Sequence, residues 1–244
     1  MGMDQLAVAA AGGLRSRMEA LDLLAHNMAN ASTPGFKADR EMYRQYFSEE
    51  ALGEDRSAPV IEGRWTDFSQ GSLTPTGNTL DFGLSGKGFF TVNGPNGPLY
   101  TRNGNFHLSS DGRVVTAEGY EVEIRTEDGE KFKADPALDF RVTTDGAIHQ
   151  GGREAGRFAV VDFAATAANE KRAGNYFSFD APQPQPATGV EVHQGRIEQA
   201  NVPAAETAVR LVNVMRQFEM LNRAIALGGE MNKKAVDEVA RVNG

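Results

Sequence analysis

The side chains best suited to chemistry near neutral pH are four histidines, His26, His107, His149 and His193. They are scattered along the chain, no two at a metal-ligand spacing, and each reads as a helix or strand surface residue. Cysteine is absent, which excludes disulfides, thiolate metal sites and thiol nucleophiles together. The run Gly83-Leu84-Ser85-Gly86-Lys87-Gly88 looks superficially like a phosphate loop, but the G-x-x-x-x-G-K-[ST] spacing is missing. Its glycines instead suit a tight turn into a strand at Phe89. No G-x-S-x-G elbow and no H-E-x-x-H pair occurs. The carboxylates of Asp111, Asp128 and Asp145 each precede a glycine, where a turn role is sufficient. The reading is a non-enzyme with no catalytic, cofactor-binding or metal site, and no cofactor.

Composition narrows the partners. A net charge of −8, with no clustered Lys and Arg, argues against nucleic acid, because phosphates must be met by concentrated positive charge. Apolar residues make up 40% of the chain, enough for a packed core. No run reaches the ~18 apolar residues of a membrane span, so no membrane insertion is expected. The N-terminus lacks the basic and apolar regions of a secretory signal, and Leu6 stands where a myristoylation motif needs Ser or Thr. These features alone place the protein in the cytoplasm unless a signal-independent route exports it.

Hydrophobic periodicity predicts an α+β fold with helical ends and a β-rich middle. Residues 1–38 carry apolar or small side chains at spacings of three and four, Leu14, Leu21, Leu24 and Met28 among them, a coiled-coil-like stripe weakened at Gly12-Gly13. Residues 198–244 hold a second helix with Ala208, Leu211, Met215, Phe218 and Ile225 on one face, Pro203 in its first turn and a break expected at Gly228-Gly229. Residues 80–197 read as a mainly antiparallel β-domain. Its Asp-Gly pairs at 111, 128 and 145 suit hairpin turns, and Tyr120, Val122 and Ile124 alternate with charge. Prolines 182, 184 and 186 mark an extended connector. Residues 39–79, punctuated by Gly53, Pro59, Gly63, Gly71, Pro75 and Gly77, read as a long and mostly irregular connecting arm.

The helical stripes raise an energetic question, since each buried Leu or Phe contributes about 1.5 to 3 kcal/mol and two docked helices leave much apolar surface wet. Two arrangements answer it: packing against copies of the same helices in neighbouring subunits, or coverage of one face of the β-domain.

Three separated segments, in order, resemble the bacterial flagellar basal-body rod and hook family. They are LDLLAHNMANASTPGFKADR (residues 21–40), GNTLDFGLSGKGFF (77–90) with YTRNGNFHLSSDGRVVTAEGY (100–120), and QGRIEQANVPAAETAVRLVNVMRQFEMLNRAI (194–225). The chain departs from the family's Ala-Asn-Asn-Leu-Ala-Asn at His26 and Met28. Its length is most like the proximal-rod members; the arm lacks the Leu-Gly-x-Gly-Val segment usual in distal-rod members, the nearer rival.

The resemblance implies a structural subunit exported unfolded by the flagellar type III apparatus and assembled in the periplasmic part of the basal body. Its partners would be other rod subunits, copies of itself and the export gate. The terminal helices would form the inner wall around the channel, packing through Leu14, Leu21, Leu24, Met28, Leu211, Met215, Phe218 and Ile225. The resemblance also puts Tyr43 and Phe47 at the family's aromatic-x-x-x-hydrophobic export motif, where they contact the gate or simply pack in the rod. The alternative outside the family is a binding module built on the β-domain.

Asn30, Pro34, Gly35 and Phe36 form the expected joint between helix and arm. Thr33-Pro34-Gly35-Phe36 suits a type II turn, with Pro34 presetting φ and Gly35 supplying the positive φ.

Overall fold

The computed structural model describes residues 3–46, 58–164, 168–172, 175–180 and 184–242. The fold is α+β, with two long helices and an antiparallel β-rich middle. The chain divides into two compact units: one of residues 1–29, 38–67 and 202–244, the other of residues 30–37 and 68–201.

The helical unit contains α1 (Met3–Ala29), β1 (Asp39–Tyr46), β2 (Ala58–Thr66) and α2 (Ala204–Val242). Both helices run unbroken through their paired glycines, including Gly228-Gly229 where a break was expected. An interior glycine costs only about 1 kcal/mol relative to alanine, and the helix formers on either side outweigh it. The helices pack against each other, bringing Leu221 on α2 beside Gly13 on α1.

β1 and β2 pair antiparallel from Asp39↔Thr66 to Tyr46↔Ala58, with a bulge between Met42 and Tyr43. The arm expected to be irregular over 39–79 is therefore a ladder across much of its length. A ribbon of two strands has only edge strands, which accommodate Pro59 and Gly63 where a central strand would not. Gly53 and Phe47 lie outside the described residues.

Asn27 fastens the ribbon to the end of α1. Its Nδ2 donates to the carbonyl of Asp39 at 2.7 Å, and the Asp39 amide donates back to Asn27 Oδ1 at 3.0 Å.

In the β-rich unit the leading strands are β3 (Leu73–Pro75), β4 (Phe82–Ser85), β5 (Phe89–Gly94) and β6 (Gly97–Thr101). β5 and β6 form the hairpin at the centre of a nine-stranded antiparallel sheet. β4 pairs with Glu191–Gln194 and β3 with Arg196–Glu198, so the first strands of the unit are completed by its last. The core gathers Phe82, Leu84, Phe90, Val92, Ile148 and Phe158, with Phe82 and Phe158 rings 5.0 Å apart. A second cluster holds Phe89, Tyr100, Val161 and Phe177.

Gly112 and Gly146 close hairpins between paired strands, with φ of 81° and 82° and amides bonded back to Ser109 and Thr143. Gly129 closes a similar turn, but Ile124–Arg125 before it pairs with Arg153–Phe158 rather than with the segment that follows. The Asp-Gly at 128 is thus a local turn and not the third hairpin of a meander. Val122 is buried, with Tyr120 and Ile124 packed against the same core.

Candidate functional site: the buried clasp of the β-rich unit

α1 stops at Ala29 and the chain turns at once. The Phe36 amide donates to the carbonyl of Thr33 at 3.2 Å, and Gly35 takes φ 68°, the geometry of a type II turn. The turn is held from every side within the β-rich unit. The Gly35 amide donates to the carbonyl of Glu198 at 2.7 Å, and Asn175 Nδ2 donates to the carbonyl of Pro34 at 2.7 Å. Lys171 Nζ lies 3.9 Å over the Phe36 ring and donates to the carbonyl of Lys37. A Cβ on Gly35 would fall 2.3 Å from the Asn103 backbone nitrogen, so no other residue fits there without moving the main chain.

Beside this turn, Lys37 and Glu198 are each 0% exposed and Arg102 is 3% exposed. Lys37 Nζ stands 2.7 Å from Glu198 Oε1 and donates to the carbonyl of Ser69 as well. Arg102 Nη1 reaches Glu198 Oε2 at 3.3 Å, while its Nη2 donates to the carbonyl of Gly86 at 2.6 Å. The Gly71 amide donates to Glu198 Oε1 at 2.8 Å. Burial pulls the Arg102 guanidinium below its ordinary value, and the facing carboxylate of Glu198 opposes that pull. Charges removed this far from water persist only when paired and hydrogen-bonded, and here one carboxylate serves two cations.

Asn201 closes the outer side of the clasp. Its amide donates to the carbonyl of Phe36 at 3.4 Å, and its Nδ2 to Ser69 Oγ at 3.1 Å. The chain thus enters and leaves the β-rich unit side by side, tied by main-chain bonds and by a buried ion triad. This arrangement fixes a conformation. It presents no nucleophile and no open coordination position, and among the described residues no group of three His, Asp or Glu could hold a metal.

The residues singled out in sequence fall differently. Asn30, Pro34, Gly35 and Phe36 are brought together in the turn, Phe36 being buried and Asn30 accepting the Thr33 amide and hydroxyl. They are part of the β-rich unit. Leu24 is buried within the helical unit, while Leu14, Leu21, Leu211 and Phe218 are half-buried and Met28, Met215 and Ile225 exposed. Tyr43 lies in β1 opposite Ile61.

Lys37, Arg102 and Glu198 were not singled out. Yet each belongs to a different one of the three family-like segments, GFK, YTRNGNF and QGRIEQANV, which meet at this point. A charged residue destined for burial leaves no periodic trace; only the convergence of otherwise unexplained segments could have pointed to it.

The clasp ties three separated segments of the chain into one conformation. A family model described as the flagellar hook protein FlgE/F/G D1 domain matches residues 83–150, and one described as the flagellar basal body rod FlgEFG protein C-terminal matches residues 193–238. The chain is 32% identical to the flagellar basal-body rod protein FlgF of Caulobacter vibrioides, across 91% of this chain and 93% of that protein. It is 32% identical to FlgF of Rhizobium meliloti over 82% of this chain and 83% of the relative, and 25% identical to the rod protein FlgG of Bacillus subtilis over 92% and 95%. The chain belongs to the flagellar basal-body rod protein family. Within it the chain is FlgF-like, a structural component of the basal body with no enzymatic role, and the binding-module alternative falls away. No helix among the described residues is long and apolar enough to cross a membrane.

Proposed function

We propose that the chain is a proximal-rod subunit that polymerises with other rod subunits and with itself through its terminal helices, which pair in a coiled-coil-like manner around an axial export channel. The observation that carries this reading is the surface of α2. Val209, Val212, Met220, Leu227 and Met231 recur on one side of the helix and are between 47% and 72% exposed. That side is roughly opposite the one carrying Leu211 and Phe218. Large apolar side chains that recur along one side of a helix, here interleaved with Arg216 and Arg223, suit a surface that is covered in the assembled state. The preference for the proximal over the distal rod draws support from the higher identity to relatives named FlgF than to the FlgG of Bacillus subtilis.

In this reading the helices line the shaft, residues 39–79 link them to the β-rich unit, and Tyr43 and Phe47 engage the export gate. Replacing both with Ala tests the last point: secretion is expected to fall, and normal secretion into the periplasm overturns the export role. For the main reading, removing residues before Asn30 is expected to abolish rod assembly and motility while leaving the β-rich unit folded. Retained motility would refute it.

A further inference from the structure

We infer that Lys37, Arg102 and Glu198 are a closing clasp, which leaves the β-rich unit open until the segment carrying Glu198 docks. Glu198 lies 161 residues after Lys37 and 96 after Arg102, so the two cations are in the chain long before their shared carboxylate. Until it arrives, the two cations lack the carboxylate that they share in the closed state, and burying charge without that pairing disfavours closure. Arg102 Nε has no hydrogen-bond partner even in the finished fold, and its Nη2 bonds only a neutral carbonyl, that of Gly86.

The backbone is conditioned on the same segment. Gly35 and Gly71 both donate to Glu198, the Gln199 amide donates to the carbonyl of Ser72 at 2.8 Å, and among the described residues β3 and β4 find their ladder partners only in residues 191–198. By contrast, β5 and β6 pair across a turn of two residues and can form early, because local pairings cost little chain entropy. A chain that emerges from its N-terminus therefore holds a β5–β6 hairpin but no sealed unit until residue 198 is free. The inference concerns folding order and holds whether or not the proximal-rod reading does.

Pulse-labelled hydrogen exchange during refolding of the full-length protein tests it. The Gly35, Gly71 and Gln199 amides are expected to gain protection in the last phase, after those of the β5–β6 ladder. Protection of the three amides with or before that ladder overturns the inference. In Glu198→Gln, unfolding is expected to accelerate at least about tenfold while refolding stays within about twofold, as for contacts formed after the transition state. Should that variant not fold, the labelling order in the wild type still decides. The variant Lys37→Met/Arg102→Met/Glu198→Leu separates charge from packing: its unfolding rate is expected to return to within about threefold of wild type, since apolar replacement of a buried ion cluster is well tolerated. A triple variant that does not fold, or that unfolds as fast as Glu198→Gln, refutes the electrostatic origin of the clasp.

Discussion

Phe82, Leu84 and Phe90 in the β-rich unit are wholly buried, whereas Val209, Met220, Leu227 and Met231 on α2 each expose more than half of their surface. Chemically these are similar side chains, with similar gains available from leaving water. The difference is topological. The sheet is closed by its own chain, down to the ion triad at the point where the chain comes in and goes out. α2 has one side engaged within its unit and a second side that nothing in the described structure covers. In the proposed reading one unit is completed by folding and the other by assembly.

The comparison can be broken most forcefully at Gly35. Gly35→Val combines a φ of 68° with overlap of the Asn103 backbone. Strain and overpacking together are expected to destabilise the β-rich unit by about 4 kcal/mol or more, seen as loss of its cooperative thermal transition. Phe90→Ala, deep in the same core, is expected to cost about 3–5 kcal/mol in urea denaturation.

A smaller effect sits at the turn of Asp145. The Thr143 hydroxyl and the Arg157 guanidinium hold its carboxyl down at about 2. A carboxylate with a depressed folded value stabilises above its unfolded value, near 3.8, and that contribution disappears as the pH falls to about 2. Asp145→Asn is therefore expected to lower stability at pH 6 and to match the wild type near pH 2. Because the side chain is 58% exposed, the difference at pH 6 should not exceed about 1 kcal/mol. The smallest effect on stability belongs to the uncovered side of α2. Met220→Gln/Leu227→Gln/Met231→Gln is expected to change unfolding by no more than about 0.5 kcal/mol per site, yet to prevent rod assembly, scored by motility and by electron microscopy of basal bodies.

The helices were legible because their apolar spacing is sustained over many turns, and the hairpins at 111 and 145 because Asp-Gly carries its own backbone geometry. The ribbon of residues 39–46 and 58–66 was hidden by Pro59 and Gly63, which disqualify a central strand but not an edge. The second apolar side of α2 was missed because Val209, Val212, Met220, Leu227 and Met231 alternate with arginines and glutamate, and the stronger stripe through Leu211 and Phe218 dominates the pattern. His26 and Asn27 are neighbours in sequence, yet it is Asn27 whose amide matches the Asp39 backbone, while His26 Nδ1 stands 3.5 Å from Asp39 Oδ2. The clasp was invisible for a different reason, since nothing in the local sequence of Lys37, Arg102 or Glu198 marks a charge that will be buried.

The central claim, that one unit is complete by itself and the other awaits neighbours, is tested most directly by hydrogen exchange of the isolated full-length protein. The β5–β6 amides are expected to be protected to the level of global unfolding, and those of α2 from Leu211 to Met231 to exchange at least about 100-fold faster. Equal protection of α2 and the β5–β6 ladder in the isolated chain would contradict it.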